Sequence, residues 1–439
     1  MSAFLAGSGI ILVLFLGLPH PGDPFDSAIS LFIATLIYFR ITRFRNLLLH
    51  ALISILMILL FMLKKPDNGL FYLIAVSAGW LTHFIINQIP AKKDLIVLIL
   101  VIFGFVVSAW NNTREVRRFL THEPVTETYR TDLDDFLKTY YLMERGASYY
   151  QAFNQAVTED AYKNGALPNL WVWRLPTVFY LWQLVPGTWG LHIFGLFIAL
   201  GIIGLGSAYK IGLVITGRSS YALLSSYFLY PYLHFAVRNA ELMHTEWWAI
   251  VPVMIGLWAI MQKKQKTTLI FFCLALSIRE LLLIPFLGIV ILLYLGKFPK
   301  WRLYIIPIVT CIIVLFVHTI FIQRELQRTI THLTQLRTHP IGFDIIRTSL
   351  AFGSWEYYFF DLRLFRIFWL AALAAVYLLR RKTAILFLPV LLFPLTFLLI
   401  GSSADNDYWG ILYMPFVLIL APHFLTVISG KVRLYRHLG

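Results

Sequence analysis

Apolar runs and short polar breaks alternate along the chain. The runs cover 3–19, 27–41, 46–63, 69–88, 94–110, 187–213, 219–236, 246–262, 267–279, 282–296, 303–322, 366–380, 383–400 and 409–428. A helix that crosses a bilayer needs about 20 mostly apolar residues, and shorter ones are tolerated inside bundles. The pattern predicts an all-α fold: a polytopic transmembrane helical bundle of about 12–14 spans. Residues 267–296 admit one long helix or two short ones, with Arg279 and Glu280 at the turn between them. Two longer polar stretches, 111–186 and 323–365, interrupt the series. Both carry aromatics and helix-like patterns, which predicts ordered helical loops at the membrane interface.

Composition sharpens this picture. Hydrophobic residues make up 59% of the 439-residue chain and charged residues 13%. A soluble globular chain carries about 25% charged residues, so soluble and disordered classes are excluded. The net charge of +15 raises the question of nucleic acid, and the positions of the cations answer it. Arg40, Arg43 and Arg45, Lys92 and Lys93, Lys210 and Arg218, and Arg380, Arg381 and Lys382 fall on alternate breaks, as do three cations in the final 429–439 segment. Cytoplasmic loops carry such an excess of Lys and Arg. The charge is therefore topological, and nucleic acid is rejected as a partner. Two short helices in 267–296 keep Lys263–Lys266 and Lys297–Arg302 on that same side, so the pair is the reading. Both termini are then cytoplasmic, in a plasma-membrane protein, and 111–186 and 323–365 lie outside. The first run lacks a basic leader and is read as a retained span. Cys273 and Cys311 lie in apolar runs and imply no disulfide framework.

The densest acidic cluster is Thr131-Asp132-Leu133-Asp134-Asp135-Phe136. Thr131 with Asp134 three residues on is a capping-box-like helix start, and Gly146 is a natural stop. At about 100° per residue, Asp132, Phe136, Thr139 and Met143 share one face, and Asp135 lies about 60° from it. Asp134 points nearly opposite, four residues before Lys138. A cap and an i,i+4 pair explain Asp134 without chemistry. The helix dipole favours any acid in a first turn, Asp132 included, but the Asp132 carboxylate also shares an apolar, aromatic face.

From Asp132 onward the sequence resembles the C-type (GT-C) superfamily of polytopic glycosyltransferases. In that superfamily the first large extracytoplasmic loop opens with a catalytic acidic motif, followed in many bacterial members by an aromatic, a helix, a Gly and a Tyr. Here the elements are Asp132-Leu133, Phe136, Gly146 and Tyr149-Tyr150, and Arg174-Leu175-Pro176 looks like a later Tyr/Arg-x-Pro element. The resemblance covers 94–428. Residues 1–93 hold four extra spans, and 429–439 form a cytoplasmic tail. The resemblance implies a polyprenyl-phosphate sugar donor and an acceptor hydroxyl on a glycan, lipid or protein of the cell envelope. It also implies one inverting displacement on the extracytoplasmic side. Asp132 is then the expected base, with Asp135 and Asp134 beside it. A leaving phosphate needs cations near the outer face, and the candidates are Arg279, Arg238, Arg174 and His244. Glu280, Glu241, Asp407 and Tyr140 are candidate partners for sugar hydroxyls.

Each candidate has a plainer explanation. Arg279-Glu280 interrupts an apolar stretch, where ionisable groups are expensive; an internal ion pair accounts for it equally. Arg238 and Glu241 are i,i+3, Arg174 is able to anchor at the interface, and Asp407 lies in a short polar turn. Arg324, Arg328 and His332 recur at helical spacing, as a solvated basic helix also does. No histidine pair has metal-ligand spacing, and no cofactor is required, although an acidic site of this kind is able to hold Mg²⁺ or Mn²⁺. Two alternatives stay open: an O-antigen-type polymerase or ligase, with 323–365 as its Arg- and His-bearing loop, and a lipid-linked sugar transporter or flippase. The topology predicts that a cysteine placed at Asp160 reacts with an impermeant maleimide in intact cells. Labelling only after permeabilisation would reverse the orientation.

Overall fold

The computed structural model describes residues 24–42, 47–62, 68–89, 92–121, 132–164, 173–184, 190–238, 241–329, 362–378, 384–396 and 404–428. Every regular element among them is helical. In chain order these are α1 (Pro24–Thr42), α2 (Leu47–Met62), α3 (Gly69–Gln88), α4 (Lys93–Asn111), α5 (Thr113–Thr121), α6 (Asp132–Glu144), α7 (Tyr149–Asn164), α8 (Thr177–Gln183) and α9 (Leu191–Thr216). They continue with α10 (Ser219–Arg238), α11 (Thr245–Met261), α12 (Gln265–Ile278), α13 (Leu283–Leu295), α14 (Ile306–Thr329), α15 (Leu362–Leu378), α16 (Leu388–Leu391) and α17 (Met414–Ile428). Five helical stretches are long and apolar enough to cross a membrane: α1, α3, α4, α9, and α14 with the short turn before it. That suggests a membrane protein. The exposed faces agree. Ile312, Ile313, Phe316 and Val317 on α14, like Leu70, Leu73 and Ile74 on α3, present large apolar side chains outward. Surfaces in water rarely carry such continuous apolar patches.

The structure corrects several spans. The run at 383–400 is not one helix. It breaks into the 3₁₀ turn Ala384–Phe387, the short α16 and the 3₁₀ turn Phe393–Thr396. Pro389 and Pro394 lack the N–H groups a continuous helix would use. The run at 409–428 likewise opens as a 3₁₀ segment, Ala404–Leu412, before α17. Helix α14 continues beyond 322 to Thr329, carrying Arg324 and Arg328 with it. Residues 267–296 are two helices, broken at Arg279, whose backbone is extended at φ −140° and ψ 105°. Most of 323–365 lies outside the described residues.

Helix α10 is buried on almost every side and acts as the axis of the bundle. Its polar side chains are spent on its neighbours. Ser226 Oγ donates to the Leu205 carbonyl of α9 at 2.8 Å, and Ser225 Oγ meets His423 Nε2 of α17 at 2.8 Å. Tyr230 Oη meets Ser108 Oγ of α4 at 2.7 Å, and His234 Nε2 lies 3.1 Å from Asp26 Oδ2 of α1. Where water is absent, a polar side chain must find its partner on another helix. Three helices are fastened in this way at both ends. At one end Arg40 of α1 pairs with Asp94 of α4 at 2.8 Å, and Ser219 of α10 donates to the same carboxylate. At the other end Asp26 of α1, Asn112 at the C-cap of α4 and His234 of α10 come together.

Small residues let neighbouring helices approach closely. A Cβ on Gly212 would stand 3.0 Å from the Ala222 Cα of α10. A Cβ on Gly256 would stand 2.2 Å from the Phe272 ring of α12, which is itself held edge-on to Phe286 at 4.2 Å. Gly256→Ala should therefore destabilise the fold by about 1–3 kcal/mol. Adding Phe272→Leu should recover part of that. Thermal unfolding in detergent checks both, and an unchanged midpoint for Gly256→Ala would contradict this packing.

Candidate functional site

The site lies at the end of the bundle where α10 finishes, and it begins with a break in the backbone. Arg279 ends α12 in an extended conformation, and the turn Glu280–Leu282 follows before α13, whose first turn tolerates Pro285. The break lets the Arg279 side chain run back into the protein, where it is 1% exposed. Its Nε lies 2.7 Å from Glu246 Oε1, and its Nη1 lies 2.9 Å from Glu280 Oε1. Glu246 is fully buried in the first turn of α11, and Thr245 Oγ1 donates to its other oxygen at 3.2 Å.

The chain from α10 to α11 adds the next layer. The turn Glu241–Met243 carries Glu241, whose Oε2 lies 2.8 Å from His244 Nε2. The His244 ring stacks on Tyr408, with centroids 4.6 Å apart and 14° between planes. Tyr408 in turn accepts a hydrogen bond from Arg174 Nη2. Arg174 is buried, with its guanidinium 5.7 Å from the Phe136 ring centre and 5.9 Å from that of Tyr408. Its carbonyl accepts from the Tyr149 hydroxyl. Arg279, Arg174 and His244 all act electrostatically on Glu246, so the three basic groups share one neighbourhood. Burial raises the Tyr149 phenol well above its ordinary value and pushes the Tyr150 phenol up to about 12. Both therefore stay neutral hydrogen-bond donors near neutrality.

The acidic helix is α6, and it has the expected phase. Phe136, Thr139 and Met143 are buried together, whereas Asp134 is only half-buried. Asp135, which falls 60° from that face, is buried too. Helix α6 stops as the sequence predicts. Gly146 takes φ +97°, its N–H reaches the Met143 carbonyl, and the Ala147 N–H reaches that of Leu142. These two bonds form a Schellman motif. Helix α6 packs against the Glu241–Met243 turn and α8, which sets the acidic helix over the buried cations. The side chains of Asp132, Arg238 and Asp407, and the residue Thr131, lie outside the described residues.

The structure thus brings together Arg279, Glu280, Arg174, Glu241 and His244 from three separate segments. Tyr140 is committed elsewhere: its hydroxyl is bonded to Glu144 and lies 2.9 Å from His192 Nε2. Glu246 and Tyr408 become central only in three dimensions. The one sequence signal for Glu246 is a carboxylate at the head of an apolar run, and for Tyr408 an aromatic beside Asp407. Among the described residues, no three His, Cys, Asp or Glu side chains are grouped so as to hold a metal ion.

The buried ion pair makes a stability prediction. Arg279→Met leaves Glu246 buried without its partner, which costs about 3–5 kcal/mol, whereas Arg279→Met with Glu246→Leu replaces both charges and should recover most of that loss. Equal unfolding midpoints for the single and double variants would remove the pair as the cause. Comparison with known proteins finds no matching family model, curated protein or solved structure.

Proposed function

We propose that this chain is an integral-membrane glycosyltransferase that moves a sugar from a polyprenyl-phosphate donor to an acceptor hydroxyl outside the cytoplasm. The observation that carries the reading is the convergence of Arg279, Arg174 and His244 beneath α6. A buried guanidinium in an apolar bundle is costly to keep and suits a planar or multiply charged anion. In this reading the acceptor oxygen attacks the anomeric carbon and its proton passes to a carboxylate of α6. The bond from that carbon to the phosphate oxygen breaks, and its electron pair leaves with the phosphate. Arg279 and Arg174 then stabilise the charge that grows on the departing group. Asp132 is the expected base, and Asp135 its neighbour on the buried side of the helix.

A second reading, a transporter or flippase for a lipid-linked sugar, draws on the Asp26–His234 pair. Both residues are buried between spans, and such pairs often mark ion pathways. Loss of chemistry separates the two. Asp132→Asn should lower transfer of a labelled sugar in nanodiscs by about 10²–10⁴-fold, because amide cannot take the hydroxyl proton. Asp134→Asn should stay near the parent rate. The Arg279→Met/Glu246→Leu protein should be stable yet use donor about 10- to 150-fold less well, the value of a charge-assisted hydrogen bond. Normal turnover in both the Asp132 and the Asp135 asparagine variants would move the transporter reading ahead.

A further inference from the structure

Beside the Arg279 cluster stands a wall of aromatic rings that the proposed chemistry does not use. Tyr150 is at its centre. Its ring stacks on Phe321 of α14 at 5.1 Å and 17°, and Trp173 lies 6.2 Å from it. The Tyr150 hydroxyl meets His318 Nδ1 at 3.0 Å. At the outer margin Phe321 is 43% exposed and Tyr180 50% exposed, so the wall reaches the surface there. Arg324 sits over Phe321 at 5.8 Å.

Three polar atoms at this wall are buried with no hydrogen-bond partner among the described residues: Trp173 Nε1, His318 Nε2 and Glu280 Oε2. Trp173 and His318 are themselves 4% and 5% exposed. Glu280 is close enough to act electrostatically on both His318 and Tyr149, so it faces the same region. Its other oxygen is the one held by Arg279. Orphaned buried polar groups are rare in folded proteins and call for an explanation. Here they form a set. In the tautomer in which the Tyr150 phenol donates to Nδ1, the His318 proton sits on Nε2, which is then a donor like the Trp173 indole. Glu280 Oε2 is an acceptor.

We propose that this wall binds the sugar ring of the acceptor, so that the acceptor is a glycan rather than a lipid or a protein. The proposal rests on the glycosyl-transfer reading of the neighbouring site. A pyranose has what the wall lacks: hydroxyls that donate to Glu280 and accept from His318 and Trp173, and C–H faces that lie on flat rings. An ionised phosphate offers Glu280 Oε2 no proton to accept, and an apolar chain would leave all three atoms unmatched. Glu280 joins the two sites, since one carboxylate oxygen is fixed by Arg279 and the other has no partner among the described residues.

Saturation-transfer NMR on the full chain in nanodiscs tests this, with the methyl pyranosides of glucose, galactose and mannose as probes. At least one should receive saturation on its ring protons. Trp173→Phe, which keeps the aromatic plane, and His318→Leu should each weaken that binding by about 2- to 10-fold, as loss of one hydrogen bond does. No transfer to any of the three sugars, or unchanged affinity in both variants, overturns the wall. Release of sugar from a polyprenyl-phosphate hexose by the same sample reports separately on the glycosyl-transfer reading. Donor cleavage without pyranoside binding overturns the wall and leaves that reading standing. Pyranoside binding without donor cleavage leaves a sugar site at the wall but removes the reading, and overturns the assignment of that sugar as the acceptor.

Discussion

The architecture depends on one constraint: an ionised or hydrogen-bonding side chain inside an apolar helical bundle must be matched by another side chain. Water is not there to do it. Helix α10 shows the result. Its serines, tyrosine and histidine reach α9, α17, α4 and α1 in turn, and each bond fixes a helix in both rotation and height. Dispersion packing alone would permit sliding, because one apolar side chain substitutes for another along the axis. The paired contacts at both ends of α1, α4 and α10 forbid it.

The same constraint explains the form of the candidate site. Arg279 is set between two carboxylates, and Arg174 rests on two aromatic rings with its guanidinium bonded to Tyr408. Such arrangements hold a planar guanidinium in one orientation. They are poor devices for stability. Replacing a buried ion pair with apolar residues of similar volume is often neutral or stabilising. A cluster of this kind, placed where the backbone is already broken at Arg279, is the feature on which the proposed function rests. The broken helix also frees backbone groups at that level, a feature tolerated where protein or a polar cavity surrounds them.

Around this core the helices α6, α7 and α8 are joined mainly by rings. Phe136 meets Phe179 at 5.9 Å, Tyr149 meets Phe179 at 5.1 Å, and Tyr140 meets Trp182 at 6.3 Å. Edge-to-face and tilted contacts of this kind give large buried area with defined orientation. They position the acidic helix without placing further charge beside it, which leaves the electrostatics of the site to the arginines, His244 and the glutamates.

The sequence by itself determined the helical class, the long apolar helices, the break at Arg279 and both the phase and the stop of α6. Each is a local matter: apolar length, a charged pair inside an apolar run, an i,i+3/i+4 pattern, a glycine at positive φ. It also named Arg279, Arg174, His244, Glu241 and Glu280 one by one, because a charge beside or within an apolar run is conspicuous. It misread 383–400 as one helix, since hydropathy outweighed Pro389 and Pro394 in the reading. It could not pair Arg279 with Glu246, seat Arg174 on Tyr408, or tie Asp26 to His234. Those partners are 33, 234 and 208 residues apart, and no periodicity along a chain encodes which helix ends meet. His318 was invisible for the same reason: a single histidine in an apolar helix reads as core until folding places Tyr150 and Glu280 against it. Local pattern set which elements form; only the matching of buried polar groups between distant helices decided which residues share a site.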